Sequence, residues 1–280
     1  MKHNIIGIRR ENLFSPNRVK DDAAVFNRVS ELLRQKGCEI TEYEESAFRN
    51  ATIGDGLIFN MARDMRTVWK LQQLEDAGRT VINSGYGIEN CTRGKMTRLL
   101  LDNNVPYPKS KIIPTAEADT DLSDIGPYCW IKRGDYQAIL SEDVIFSRAG
   151  KESAATIREY SRRNISSVVV NEHLKGDLIK FYGVPGTDFF YWLYPDRLNY
   201  SKFGLETING KPQGIPFDAD RLKILCTHAA QVLNIVVYGG DAIVDLNGII
   251  RIIDLNDWPS FAPCLELAAP YIAQYIYGRL

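Results

Sequence analysis

The chain has 280 residues, with 34 Lys and Arg against 35 Asp and Glu and a formal net charge of −1. Hydrophobic residues make up 45% and charged residues 25%, as in an ordinary globular protein long enough for one large domain or several small ones. The absence of a basic excess argues against a nucleic-acid partner, though not against a local basic pocket. The five cysteines are scattered without a C-x-x-C pair, so reduced thiols are expected rather than a zinc site or disulfide framework. His3, His173 and His228 show no metal-ligand spacing. No apolar run approaches the roughly 20 residues of a membrane helix, and "MKHNIIGIRR" is too briefly apolar for a signal peptide. A cytoplasmic protein with no membrane partner is expected.

In chain order, "NIIGI" predicts a short buried strand. Val25, Val29, Leu32 and Leu33 recur at helical spacing, with Gly37 as a C-terminal cap. "CEITEY" and "GLIFN" predict strands, Val68, Leu71 and Leu74 a helix ending at Gly78, and "TVIN" a further strand. This alternation over 1–90 predicts a parallel α/β domain. A helix over Thr92 to Asn103 follows, and Pro106, Pro108 and Pro114 break the pattern. Strands then dominate: "YCWIK", "DVIFS", "SVVVNE", "LIKFYGV" and "DFFYWLY", interrupted by a helix over Lys151 to Arg163. The aromatic cluster Phe189 to Tyr194 fits sheet core better than a base-stacking platform. A helix over Asp218 to Leu233, two strands joined by Leu246-Asn247-Gly248, and a last helix over Cys264 to Tyr277 complete the chain. The fold class is α/β (α+β).

The paired late strands, "GGDAIVD" and "IIRIIDLNDWPS", carry the chemistry. If "LNG" is a hairpin turn, Asp241 comes opposite Asp254 and Asn256. The latter pair lies two residues apart and so on one face. That is a compact all-oxygen cluster, and magnesium takes oxygen ligands from a few carboxylates plus substrate phosphates. The plainer alternative is that these polar residues merely end a hairpin. Asp257 and Ser260 follow this cluster in the chain.

The stretch "GGDAIVDLNGIIRIIDLNDWPS" resembles the C-terminal metal motif of the ATP-grasp enzymes. The resemblance implies an ATP-grasp fold binding ATP and Mg2+, with Mn2+ as a substitute, and Asp241, Asp254 and Asn256 as metal ligands. It implies a pre-ATP-grasp domain over 1–90, a lid region over 91–172 with a small subdomain at about 112–170, and a C-terminal domain over 173–280. "VINSGYGIENCTRGKM" is similar to the segment before the first nucleotide lysine, which would be Lys95, although Gly94 replaces the usual acid. Lys132, closing the apolar strand "YCWIK", matches the second lysine. "RGDYQA" stands where a glycine-rich phosphate loop belongs, with Gly134 alone. "VVVNEHLKGD" resembles the adenine hinge, so the backbone of Asn171, Glu172, His173 and Leu174 would read the base, with Glu172 and Asp177 near purine or ribose. By itself His173 reads as a satisfied polar residue, not a metal ligand.

Within this superfamily the common chemistry is carboxylate activation: phosphate passes from ATP to a carboxylate, and an amine or thiol then displaces it, leaving ADP. A ligase of this kind is expected, with Lys132 and Lys180 as catalytic cations. The alternative is a small-molecule kinase like the inositol polyphosphate branch, toward which Asp254 and Lys180 lean. A non-catalytic nucleotide-binding module is a third class. For the partner, a small anionic acceptor is expected, held by Arg9, Arg63 and Lys202, with Arg10 and Ser201 as further candidates. Whether the chain forms a homodimer is left open.

Overall fold

The first apolar run forms β1 (Asn4–Arg9), buried over Ile5–Ile8. In this computed structural model residues 3–15, 17–137, 140–195 and 208–280 are described. Successive β1 side chains serve opposite faces: Ile5 joins one core, Ile6 and Ile8 another. Helix α1 (Val19–Gln35) buries Val25, Phe26, Val29 and Leu33. It ends where Gly37 takes φ of 86°, a left-handed conformation that suits glycine. With β2 (Glu39–Glu44), β3 (Leu57–Asn60) and β4 (Val81–Ile82), β1 makes a parallel sheet of order β2-β1-β3-β4. Helices α2 (Glu45–Asn50) and α3 (Met65–Asp76) connect β2 to β3 and β3 to β4, and α4 (Gly85–Asn90) follows β4. The sequence pattern gave no sign of α2 and α4, which are short: each has only 6 residues.

A second four-stranded sheet is antiparallel, in the order β5-β8-β6-β7, with β5 (Ser110–Pro114), β6 (Tyr128–Arg133), β7 (Val144–Arg148) and β8 (Ser167–Glu172). Helix α6 (Lys151–Arg162) covers it through Ile157 and Tyr160. The third sheet, β10-β9-β11-β12, contains β9 (Asp177–Gly183), β10 (Phe190–Leu193), β11 (Tyr238–Val244) and β12 (Ile250–Asp257), all antiparallel. Helices α5 (Arg93–Asp102) and α7 (Ala219–Val232) pack on this sheet through Met96, Leu100, Leu222 and Ala229. The last helix, α8 (Leu265–Tyr277), returns to the first sheet and packs Ala269, Ile272 and Ile276 against the α1 side. No helix of the described residues is long and apolar enough to cross a membrane.

Asn83 joins the first sheet to the third. Its Nδ2 donates to the Val237 carbonyl at 2.7 Å, and its Oδ1 accepts from the Val236 and Val237 amides at 2.9 and 2.8 Å. The residue is 1% exposed, so no water replaces a lost partner. Asn83→Ala is expected to destabilise the protein by about 3 kcal/mol, since it orphans buried backbone groups. Urea unfolding followed by tryptophan fluorescence measures this, and a loss under about 0.5 kcal/mol would place the joint elsewhere.

Candidate active site

The hairpin of β11 and β12 builds the centre of the site. Gly248, at φ of 74°, closes its turn, and Asp241 pairs directly with Asp254. On the other side Asp241 pairs with Lys180 of β9. Lys180, Asp241 and Asp254 therefore form one cross-strand row. Two residues along, Tyr182, Gly239 and Asn256 form the next row on the same face. A side chain at Gly240 would meet the Asp254 carbonyl at 2.2 Å, so the close approach of the two strands requires glycine there. A register shift after Asp241 leaves Ile253 as the extra residue of a bulge. Its carbonyl turns to Lys132 Nζ, 3.2 Å away.

These residues line a cleft of about 290 Å³. Its apolar lining comes from Trp130, Val144, Leu174, Leu178 and Ile243, and its charged and polar lining includes Arg93, Lys132, Lys180, Asp241, Asp254 and Asn256. Arg93 Nη2 donates to Asp254 Oδ2 at 3.2 Å, and Lys180 Nζ to Asp241 Oδ1 at 3.0 Å. Burial alone would raise the Asp254 carboxyl, but Arg93, Lys132 and Lys180 outweigh it, and the group stays below the usual carboxylate range. Burial, helped by Arg93, lowers the Lys132 ammonium to about 7, against the opposing pull of Asp254 and Asp241.

Asp241, Asp254 and Asn256 offer two carboxylates and an amide oxygen, hard donors of the type magnesium prefers. Among the described residues no group of three or more His, Cys, Asp or Glu side chains could hold a metal ion. The donor set thus fits a magnesium that brings further oxygen ligands with it, as one bound to phosphates does.

Other expected residues fall elsewhere. Lys95 lies outside the cleft lining, its ammonium 2.5 Å from Glu89 Oε1, and Arg93 holds the cleft position instead. Arg93 is the first residue of α5, which turns it inward, while Lys95 lies two positions further along the helix, half exposed. Asn171, Glu172 and Leu174 do line the cleft. His173 does not; its Nδ1 accepts from Trp130 Nε1 at 3.3 Å, beside Phe146. Asp177 is buried and accepts from the Gln213 and Ile215 amides, both at 2.8 Å, so it clamps a loop rather than meeting a ribose.

Arg9 is turned away from the cleft, with Nη2 donating to Glu42 at 2.5 Å and the guanidinium over the Phe26 ring. Arg10, one residue on, faces the cleft, as do Arg63 and Ser260. Lys202 and Ser201 lie outside the described residues.

The "RGDYQA" loop is engaged with protein. Tyr136 donates its hydroxyl to the Arg63 carbonyl, and Gln137 Nε2 donates to Asp257 Oδ1 at 2.8 Å. Asp257 is fully buried between Arg63 and Arg10, so it belongs to this network and not to the all-oxygen cluster.

No family model matches the sequence, and no curated protein matches it. Solved structures do. D-alanyl-alanine synthetase A from Vibrio cholerae O1 biovar eltor str. N16961 is similar over 99% of this chain and 98% of its own, at 11% identity and a TM-score of 0.68. A RimK domain ATP-grasp protein from Sphaerobacter thermophilus DSM 20745 matches over 98% and 100%, at 13% identity and a TM-score of 0.69. The ATP-grasp ligase PsnB, complexed with a minimal precursor, Mg and ADP, matches over 98% and 97%, at 16% identity and a TM-score of 0.61. The chain has the ATP-grasp fold along nearly its whole length.

Proposed function

We propose that this protein is an ATP-dependent ligase that binds Mg-ATP in the cleft and passes its terminal phosphate to a small-molecule carboxylate. An amine then displaces the phosphate. The observation that carries the reading is the convergence of Arg93, Lys132 and Lys180 on Asp241 and Asp254 in a cleft that also has apolar lining. Trp130, Leu174 and Leu178 would bury the base, with the Glu172 strand end beside it. Arg93 and Lys132 would bind phosphate oxygens, and Lys180 the transferred group. Asp241, Asp254 and Asn256 would hold magnesium, which neutralises phosphate charge when bound. Positioning and charge compensation of this kind suffice for phosphoryl transfer without a catalytic base. The second sheet serves as the lid, fastened by Tyr136 and Gln137. PsnB was solved with Mg and ADP, which supports the same ligands here.

The test is ADP release in the presence of candidate carboxylates, with hydroxylamine to trap the acyl phosphate. A hydroxamate formed only with ATP, Mg2+ and acceptor is the expected product. Phosphorylation of a hydroxyl with no hydroxamate would replace the ligase reading by a kinase.

The lowered Lys132 ammonium gives a pH prediction. Polyphosphate beside it favours the charged form, so nucleotide binding takes up a proton wherever free Lys132 is neutral and bound Lys132 is charged. That window runs from about pH 7 upward toward the ordinary lysine value. Affinity should fall as pH rises from 7 to 9 and be flat below 7 with respect to this group. Calorimetry in buffers of different ionisation enthalpy measures the uptake at pH 8, and Lys132→Met should abolish it.

A further inference from the structure

The loop over residues 133–137 leaves the second sheet from a fixed root. The Gly134 amide donates to the Ser167 carbonyl, and the Gly134 carbonyl accepts from the Gly94 amide, both at 2.8 Å. From there the loop reaches the end of β12. Gln137, 7% exposed, donates through Nε2 to Asp257 Oδ1 at 2.8 Å. Asp257 is 1% exposed and directly follows Asn256, so it belongs to the face of β12 opposite Asp254 and Asn256. Neither Gln137 nor Asp257 lines the cleft.

The surroundings of Asp257 make that one hydrogen bond matter. Arg63 Nη2 and Arg10 Nη2 stand 3.4 and 4.0 Å from the carboxylate. Both donate instead to main-chain carbonyls, Arg63 to that of Asp257 at 3.1 Å and Arg10 to that of Trp258 at 2.8 Å. Asp257 Oδ2 has no hydrogen-bond partner among the described residues. A buried carboxylate that loses its hydrogen bond is costly, and it turns to find another donor. The second sheet also holds β12 at another point, where Lys132 Nζ donates to the Ile253 carbonyl at 3.2 Å. Ile253 precedes Asp254 and Asp257 follows Asn256. Two contacts from one sheet therefore bracket the two β12 residues that offer oxygens to the cleft.

We propose that Gln137 is a positioning residue for the metal site: it holds Asp257, and through it the orientation of Asn256, so that closure of the second sheet and magnesium binding favour each other. The proposal rests on reading Asp241, Asp254 and Asn256 as ligands of a nucleotide-bound magnesium. Groups that orient metal ligands without touching the metal typically cost about 10- to 100-fold in metal affinity when removed. The coupling runs both ways. If closure strengthens metal binding, the metal strengthens closure by the same factor.

The experiment titrates ADP into the full chain with and without Mg2+ and reads the ratio of the two dissociation constants. In Gln137→Leu the constant without Mg2+ should stay within about twofold of wild type, while the strengthening by Mg2+ should fall about 10-fold. Gln137→Glu sets a second carboxylate against Asp257 and should lose at least as much. Asp135→Asn is the control, since Asp135 lies on the same loop and pairs with Arg133, and it should keep the wild-type ratio. A second measurement needs no variant. At saturating ADP, hydrogen exchange over residues 133–137 of the unmodified protein should slow further when Mg2+ is added. An unchanged ratio in Gln137→Leu, an equal loss in Asp135→Asn, or no added protection by Mg2+ overturns the proposal. The wild-type titration separates the two levels. If Mg2+ strengthens ADP binding equally in wild type and Gln137→Leu, the positioning role alone fails; if ADP does not bind, or Mg2+ does not strengthen it, the nucleotide and metal reading fails with it.

Discussion

Asp254→Asn is expected to lower ATP turnover about 1,000-fold. Metal-borne charge compensation in the transition state is worth several kcal/mol, and about 1.4 kcal/mol is a factor of ten. The stability effect has a sign that the sequence alone does not give. Carboxylates facing each other across a hairpin suggest mutual repulsion, so that removing one would stabilise the fold. The structure reverses this, because Asp254 is the partner of Arg93, whose side chain is 5% exposed. Breaking one side of a buried ion pair costs about 3–5 kcal/mol. Asp254 retains 20% side-chain exposure, so a loss of about 2 kcal/mol is expected, below that range. Arg93→Gln combined with Asp254→Asn should recover part of that stability and none of the turnover. Urea melts and an ADP-release assay on the same preparations separate the effects. A single variant that melts early but turns over normally would mean that Asp254 serves only the fold.

The second large effect distinguishes two neighbouring cations. Arg93→Gln should weaken ADP binding about 10- to 100-fold, the worth of a charged hydrogen bond. Lys95→Ala should leave it within about twofold, because the Lys95 ammonium is exposed and pairs with Glu89, a contact of little energetic consequence. Calorimetric titration of both variants measures the contrast. Equal losses, or a larger loss at Lys95, would restore Lys95 as the nucleotide cation.

That contrast shows what a sequence can and cannot carry. The acidic hairpin was legible because period-2 alternation, a glycine turn and acid-x-Asn spacing fix which residues share a face. The structure pairs Asp241 with Asp254 as that pattern requires. Lys132 was legible because a lysine ending an apolar strand needs a reason to be there, and it is 7% exposed. Arg93 was not. A cation at a helix start has the spacing of a surface residue, and only the packing of α5 on the third sheet turns it inward. Arg9 and Arg10 posed the same problem at a strand end, where one residue of shift exchanges cleft for outer face. Asp177 was misplaced because its partners, the Gln213 and Ile215 amides, are remote in sequence and join a strand to a distant loop. The return of α8 to the first sheet is equally invisible to local pattern, since its apolar face would suit any sheet.

The most direct test of the account is a calorimetric titration of the unmodified protein with ADP, with and without Mg2+. The account predicts binding of one nucleotide per chain, strengthened by Mg2+ and lost or greatly weakened in Lys132→Ala. No binding heat at millimolar nucleotide with Mg2+ present, at two temperatures to guard against a vanishing enthalpy, would contradict it.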